Sequence, residues 1–339
     1  MKSIRATLLV AAMLLSGTAM AAQEKTEDDD PICSDRARCP DPMSVDKSPL
    51  FLVTSLFPPD PNVLEDDPLD PDEPVPAGGN GQETTGEKTP WMAEIERPLR
   101  LPKVANRDLK WHERLSCGGS LIAPGWILTA AHCLYDYDRT ILAERYRIRL
   151  GMRTISGNGG ASYRITAIYP HPAYNPKKGY YNDIALIRFE ADAQTRMARP
   201  SRIQAIYLDG PRPGSPPLAG RAAYFYGWGR TELDKVSDAL RYFKVRILPD
   251  LDCRNSAIAL CAKGMGALAA TQCHGDSGSP LVVFQGTIPV LVGVVSHNVE
   301  KVACGKQKLH GVYTRVAAFR GWIESHTGRK AFEDGLRME

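Results

Sequence analysis

Arg145-Tyr146-Arg147-Ile148-Arg149-Leu150 alternates arginines with apolar residues, the period of a strand with one face on a core and the other in water. Ile184 to Phe189, Leu281 to Phe284 and Val290 to Val295 are more uniformly apolar and suit central strands. Short runs of this kind recur between turn signals, and little of the body has helical period, so the fold class is all-β. Roughly 250 residues of short strands fit one body made of two β-barrels. The period changes only at the end. Val316, Phe319, Trp322, Ile323 and His326 fall on one face of a C-terminal α-helix, and Gly328 follows as its stop.

Outward from that body, the first residues read as an export signal. Lys2 and Arg5 precede an apolar stretch from Ala6 to Leu15, and Ala19-Met20-Ala21 is a small-x-small cleavage pattern. Ser16-Gly17-Thr18 leaves the stretch short of the about 20 apolar residues that a spanning helix needs. Residues 1–22 are therefore expected to be a signal peptide, and the mature chain to be secreted, periplasmic or extracellular, with no membrane attachment. Export also changes the reading of the eight cysteines. Disulfides persist in oxidising compartments and an even count leaves no obligatory free thiol. No CxxC spacing occurs, so neither a metal nor any other cofactor is expected.

Residues 23–79 hold 15 Asp/Glu against 4 Lys/Arg, 4 − 15 = −11, and are dense in proline. Such a composition cannot bury enough apolar surface to offset its ordering entropy, so the segment is expected to be a largely disordered arm or a propeptide. Leu50 to Phe57 is one apolar patch within it. Cys33 and Cys39 close a small loop there, unless one of them tethers the arm to the body and leaves another cysteine unpaired. From Asn80 onward the balance is 36 Lys/Arg against 24 Asp/Glu, or +12. No nucleic-acid recognition motif accompanies this charge, so a solvated surface is expected and nucleic acid is not a partner. Residues 80–328 are then expected to form the folded body, and 329–339 a tail.

Three motifs carry chemistry: Thr129-Ala130-Ala131-His132-Cys133, then Asn182-Asp183-Ile184-Ala185-Leu186, then Gly275-Asp276-Ser277-Gly278-Ser279-Pro280, separated at their central residues by 51 and 94 positions. A serine hydroxyl needs a base within hydrogen-bond reach, and imidazole has the suitable pKa. A carboxylate can fix that imidazole's tautomer. The order His, Asp, Ser is that of the chymotrypsin arrangement. With Pro90-Trp91, Cys117-Gly118-Gly119-Ser120, His171-Pro172-Ala173-Tyr174, Gly227-Trp228-Gly229 and Gly311-Val312-Tyr313-Thr314, the body resembles the chymotrypsin/trypsin-like serine peptidases, in an exported member of bacterial type.

The resemblance implies two six-stranded antiparallel barrels with the active site between them. It implies His132, Asp183 and Ser277 as the catalytic triad, and the N–H groups of Gly275 and Ser277 as the oxyanion hole. It pairs Cys117 with Cys133, Cys253 with Cys261, and Cys273 with Cys304. Thr271, six positions before Ser277, stands at the base of the primary pocket, where Asp would select Arg or Lys. Ser296-His297-Asn298 forms its wall: Ser296 and His297 offer backbone to an extended substrate, Asn298 narrows the mouth, Gly311 leaves the opposite wall open, and Tyr180 caps the next subsite. Small or medium uncharged side chains are then expected in the pocket of a protein or peptide substrate. Ser279 stands where relatives more often have glycine.

Two further departures raise questions of their own. Between Trp91 and Cys117 lies an insertion with Arg97, Arg100, Lys103, Arg107, Lys110 and Arg114, either an exosite for acidic substrates or a solvated loop. No Arg or Lys occurs between Lys47 and Lys88. Pro76-Ala77-Gly78-Gly79, which best matches the terminus that activation creates in trypsin-like zymogens, therefore lacks the usual cleavage residue. Asp276, which that terminus would pair, must find another cation, hydrogen-bond donors or a proton. Three functions fit the motifs: an active endopeptidase, a binding module that has lost turnover, and an esterase using the same triad.

Overall fold

A computed structural model of the chain describes residues 81–84, 88–101, 105–136, 139–152, 154–157, 159–190, 203–210, 217–231, 235–265, 272–298 and 310–328. The expected signal peptide, the acidic arm with Cys33 and Cys39, and the tail lie outside them, as do Thr271, Lys103 and Cys304.

Strands β2 (Met92–Glu96), β3 (Leu115–Ala123), β4 (Trp126–Thr129), β7 (Arg147–Leu150), β8 (Ala161–Pro170) and β9 (Ala185–Glu190) close a barrel in the order β2-β3-β4-β9-β8-β7. Every pairing in it is antiparallel. The second barrel joins β11 (Ala222–Gly227), β12 (Arg241–Ile247), β13 (Ala259–Gly264), β14 (Pro280–Gln285), β15 (Ile288–Asn298) and β16 (His310–Arg315). Its order is β12-β11-β14-β15-β16-β13, and a β12–β13 pairing completes the ring. Two short strands extend it: β1 (Gln82–Glu83) on β12, and β10 (Tyr207–Leu208) alongside β15. A small hairpin, β5 (Tyr135–Asp136) with β6 (Arg139–Thr140), stands apart from both.

The uniformly apolar runs became the central strands. Leu281, Val283, Val290, Val292 and Val295 pack with Phe225, Val245 and Tyr313 inside the second barrel. Their burial, worth about 25 cal/mol per Å² of apolar surface, sets where these strands sit. The alternating run behaves differently from the expected strand with a wet face. Ile148 and Leu150 are in the core as expected, but Arg149 is buried too. Its Nη1 lies 3.1 Å from Glu94 Oε2 and donates to the carbonyl of Ile155, while Nη2 donates to that of Gly157. A buried guanidinium is tolerable here because its donors meet a carboxylate and carbonyls instead of water.

The last segment opens with a 3-10 turn, Val316–Phe319, and continues as helix α1 (Arg320–Thr327). Val316, Phe319 and Ile323 are buried, as the spacing predicts. Gly328 caps the helix at φ 64°, the left-handed conformation that glycine enters without penalty. Disulfides Cys117–Cys133 and Cys253–Cys261 are formed, the second across the short loop. Cys273 is disulfide-bonded as well.

Candidate active site

His132 lies in the 3-10 turn Ala131–Leu134 that follows β4. Asp183 lies just before β9, the neighbour of β4, so barrel pairing alone brings the two motifs together across 51 residues. The turn that aims Asp183 depends on Asn182, which takes φ 54° and anchors its side chain by donating from Nδ2 to the Ala173 carbonyl. Asparagine enters this left-handed region more readily than any branched residue, which is the local reason for Asn before Asp.

Asp183 is fully buried and has no contact with solvent. Its Oδ2 accepts from His132 Nδ1 at 2.8 Å and from Ser296 Oγ at 2.5 Å, and its Oδ1 accepts the His132 backbone N–H at 2.9 Å. Thr314 Oγ1 donates to its main-chain carbonyl at 2.7 Å. Burial pushes this carboxyl up, but the bonds and charge from His132 and the bond from Ser296 outweigh it and hold the group below its ordinary value. A carboxylate held toward its ionised form thus grips the Nδ1 edge of an imidazole that keeps about a quarter of its side chain exposed. Tyr180 meets the His132 ring edge-on at 5.6 Å, and a cleft of about 350 Å³ opens beside it, lined by His132, Tyr135, Tyr174 and Pro176.

Ser277 belongs to the tight turn leading into β14. The Gly118 N–H from the first barrel donates to its carbonyl at 2.8 Å, and Gly278 N–H donates to the Val295 carbonyl at 2.8 Å. Two strands therefore hold this turn, one from each barrel. Gly275 takes φ 100°, and a Cβ there would stand 2.9 Å from Leu115 Cδ2 and 3.2 Å from Gly229 Cα, so only glycine fits.

Beneath it, Asp276 is buried, with Oδ1 accepting from the Gly229 N–H and Oδ2 from the Cys273 N–H, each at 2.8 Å. Glycine at 227 and 229 makes room for this carboxyl, since a Cβ on either would overlap it. Burial raises Asp276 to about 7 against the pull of the two N–H groups. Among the described residues, two backbone hydrogen-bond donors are thus what accommodates it.

Next to the segments expected to form the primary pocket stands a residue that reading the motifs missed. Gln272 is buried, and its carboxamide lies against Gly311; a Cβ on Gly311 would stand 2.0 Å from Gln272 Oε1. Gln272 Nε2 donates to the His297 carbonyl at 2.9 Å, and Asn298 Nδ2 donates to the Gln272 carbonyl at 3.1 Å. The backbone carbonyl of His297 is therefore already engaged. Both amide oxygens, Gln272 Oε1 and Asn298 Oδ1, are buried without a hydrogen-bond partner among the described residues. The signal was available, since Gln272 directly follows Thr271, but only the fold shows that its side chain turns against Gly311 and the His297 carbonyl.

The basic insertion spends its charge on itself. Arg100 pairs with Asp108 at 2.5 Å, Arg107 with Glu113 at 2.6 Å and Arg114 with Glu96 at 2.9 Å, while Arg97 donates to the Leu115 carbonyl. Four of the six basic residues of the insertion are thus bonded within it, and Lys103 lies outside the described residues. Cys117, Cys133 and His132 come close enough to hold a metal, but both sulfurs are tied in a disulfide and offer no thiolate. Among the described residues no helix is long and apolar enough to cross a membrane.

A family model described as Trypsin matches residues 79–323. The chain is 33% identical over 271 residues to the CLIP domain-containing serine protease B4 of Anopheles gambiae, an alignment covering 73% of this chain and 69% of that protein. It is 29% identical to the phenoloxidase-activating factor 1 of Holotrichia diomphalia, with the same two coverages. It is 28% identical to the tissue-type plasminogen activator of Sus scrofa, over 70% of this chain but only 42% of that protein. Among solved structures, neuropsin, a serine protease expressed in the limbic system of mouse brain, superposes with a TM-score of 0.55 at 25% identity, over 73% of this chain and 98% of that one.

Proposed function

The chain belongs to the trypsin family and is a serine-type endopeptidase, and from that premise we propose that it cleaves peptide bonds through an acyl-enzyme formed on Ser277. His132 accepts the Ser277 proton at Nε2 as the hydroxyl attacks the scissile carbonyl, and returns it to the leaving amine. Asp183 keeps Nδ1 protonated and stabilises the imidazolium. Water then repeats the sequence on the acyl group. The N–H groups of Gly275 and Ser277 receive the oxyanion, at a value of about 2.7 to 4 kcal/mol for a donor in a comparable site.

The observation that carries this reading is the hold on His132: two bonds from one buried carboxylate, at Nδ1 and at the backbone N–H, fix both the tautomer and the position of the ring. The apposition of Ser277 and His132 is the part that kinetics tests.

Substrates are proteins or peptides with a small or medium uncharged side chain in the primary pocket. Gln272 and Asn298 support this, because they narrow the pocket and present amide oxygens instead of a carboxylate. An uncharged side chain able to donate a hydrogen bond satisfies those oxygens, whereas leaving them buried costs free energy. Export with removal of residues 1–22, and an acidic arm at 23–79 ahead of the peptidase body 80–328 and the tail 329–339, complete the proposal.

Hydrolysis of a denatured protein and of a simple ester, by wild type and by Ser277→Ala and His132→Ala, tests it. Wild type cleaves the protein, and each variant loses turnover by a factor on the order of 10⁴ or more with the fold intact. Substantial residual activity in either variant overturns the assigned roles. Ester cleavage alone would point to an esterase, and an inert, folded wild type to a binding module.

A further inference from the structure

Strand β15 slips register against β16 at the active site. Val295 pairs with Tyr313 and His297 with Val312, so Ser296 is an extra residue on its strand. In a regular strand, neighbouring side chains point to opposite faces. A bulge breaks that rule and re-aims them. Here Ser296 Oγ and His297 Nδ1 meet at 3.1 Å.

The direction of each bond in this cluster follows from proton counting. Asp183 is ionised and can only accept, so the 2.5 Å contact uses the single hydroxyl proton of Ser296. Ser296 Oγ then has only lone pairs to offer His297. The 3.1 Å contact must be donated by His297 Nδ1–H. The result is one chain of bonds: His297 Nδ1–H to Ser296 Oγ, Ser296 O–H to Asp183 Oδ2, with His132 Nδ1–H donating to the same Oδ2 from the other side. The His297 ring is clamped as well, stacked on Tyr180 at 4.6 Å and 16°, and Tyr180 in turn abuts His132 edge-on.

We propose that His297 is a positioning residue for the reaction: through Ser296 it polarises and orients the Asp183 carboxylate, so that two histidines act on one carboxylate, one directly and one through a hydroxyl. This rests on the peptidase reading of the site. A carbocyclic aromatic ring at 297 could stack on Tyr180 equally well but could not donate this bond. Burial holds His297 below the usual imidazole range, against the attraction of Asp183, and the nearby His132 depresses it further. At neutral pH it is therefore the neutral Nδ1–H form that does the positioning.

The test reads histidine nitrogens by ¹⁵N NMR on the whole protein. In wild type, His297 is the Nδ1–H tautomer, with Nε2 the nitrogen that titrates. His297→Phe keeps a ring for Tyr180 and removes the donor, whereas His297→Asn places an amide N–H near the Nδ1 position and removes the ring. The low-field proton signal of the His132–Asp183 bond should move in His297→Phe and stay near its wild-type position in His297→Asn. On a peptide substrate, kcat should fall about three- to tenfold in His297→Phe, the span that one net hydrogen bond gives, and recover in His297→Asn.

An Nε2–H tautomer at His297 overturns the proposal, as does a His297→Phe variant with unmoved signal and kcat, or a His297→Asn variant that behaves like His297→Phe. The tautomer measurement needs no variant, and the proton signal needs no turnover. An inert wild type would therefore refute the peptidase reading while leaving the relay to be judged on its own signals.

Discussion

Ser279 carries a prediction that runs against the usual direction of core mutations. The residue is fully buried and its Oγ has no hydrogen-bond partner among the described residues. That oxygen packs against Gly118 of the first barrel, where an added Cβ would stand only 2.0 Å from it. An unsatisfied buried hydroxyl costs about 1 to 3 kcal/mol. Removing the oxygen while keeping Cβ forfeits only a few dispersion contacts, on the order of 0.1 to 0.2 kcal/mol each. Ser279→Ala is therefore expected to stabilise the fold by about 1 kcal/mol, or about 2 to 4 °C in Tm for a body of this size. Urea titration with disulfides intact should show a higher midpoint at unchanged slope. The same contact predicts coupling. Gly118→Ala alone clashes with Ser279 and should destabilise by about 1 to 3 kcal/mol, and adding Ser279→Gly should recover part of that loss, because the two side chains compete for one space. A Ser279→Ala protein that is less stable than wild type refutes the reasoning, since the hydroxyl would then be satisfied.

The buried Asp276 makes stability depend on pH. Its folded value of about 7 lies above the ordinary 3.8, so the unfolded chain sheds this proton first and the stability that Asp276 contributes falls as pH rises through that window. The wild type should lose stability relative to Asp276→Asn between about pH 4 and pH 7; a pH-independent difference contradicts this. Activation should not require a trypsin-type cut near residue 76. Terminal sequencing that finds a sole new terminus between residues 74 and 80, with the uncut form inert, rules that out. The arm at 23–79, of charge −11, should lie against the body of charge +12 and loosen as salt shortens the Debye length below about 8 Å; a truncated protein with unchanged activity and stability at low salt disposes of the contact. A peptide-library profile dominated by Arg or Lys would overturn the assignment of Gln272 and Asn298 to an uncharged pocket.

What the sequence determined by itself is what local pattern and motif spacing encode. Period-2 and apolar runs specify strands, because a strand's burial is decided residue by residue along its own length. The motifs around His132, Asp183 and Ser277, in that order, carry the resemblance to the family, and Gly328 ends its helix as a local conformational necessity. Polar partnerships were another matter, because they depend on which strands become neighbours. Arg149 looked like a wet-face residue, and only the barrel, by placing Glu94 on the adjacent strand, buries it. Gln272 sat unnoticed beside Thr271 until β15 and β16 supplied the carbonyl and the glycine that hold its amide in the pocket. Asp276 needed Gly227 and Gly229, 49 and 47 residues earlier, to leave it space. His297 read as backbone for a substrate, and at a one-residue bulge its imidazole meets the Ser296 hydroxyl that bonds Asp183. Hydrogen bonds act over about 3 Å, so a side chain's chemistry is settled by whatever the tertiary fold brings within that distance.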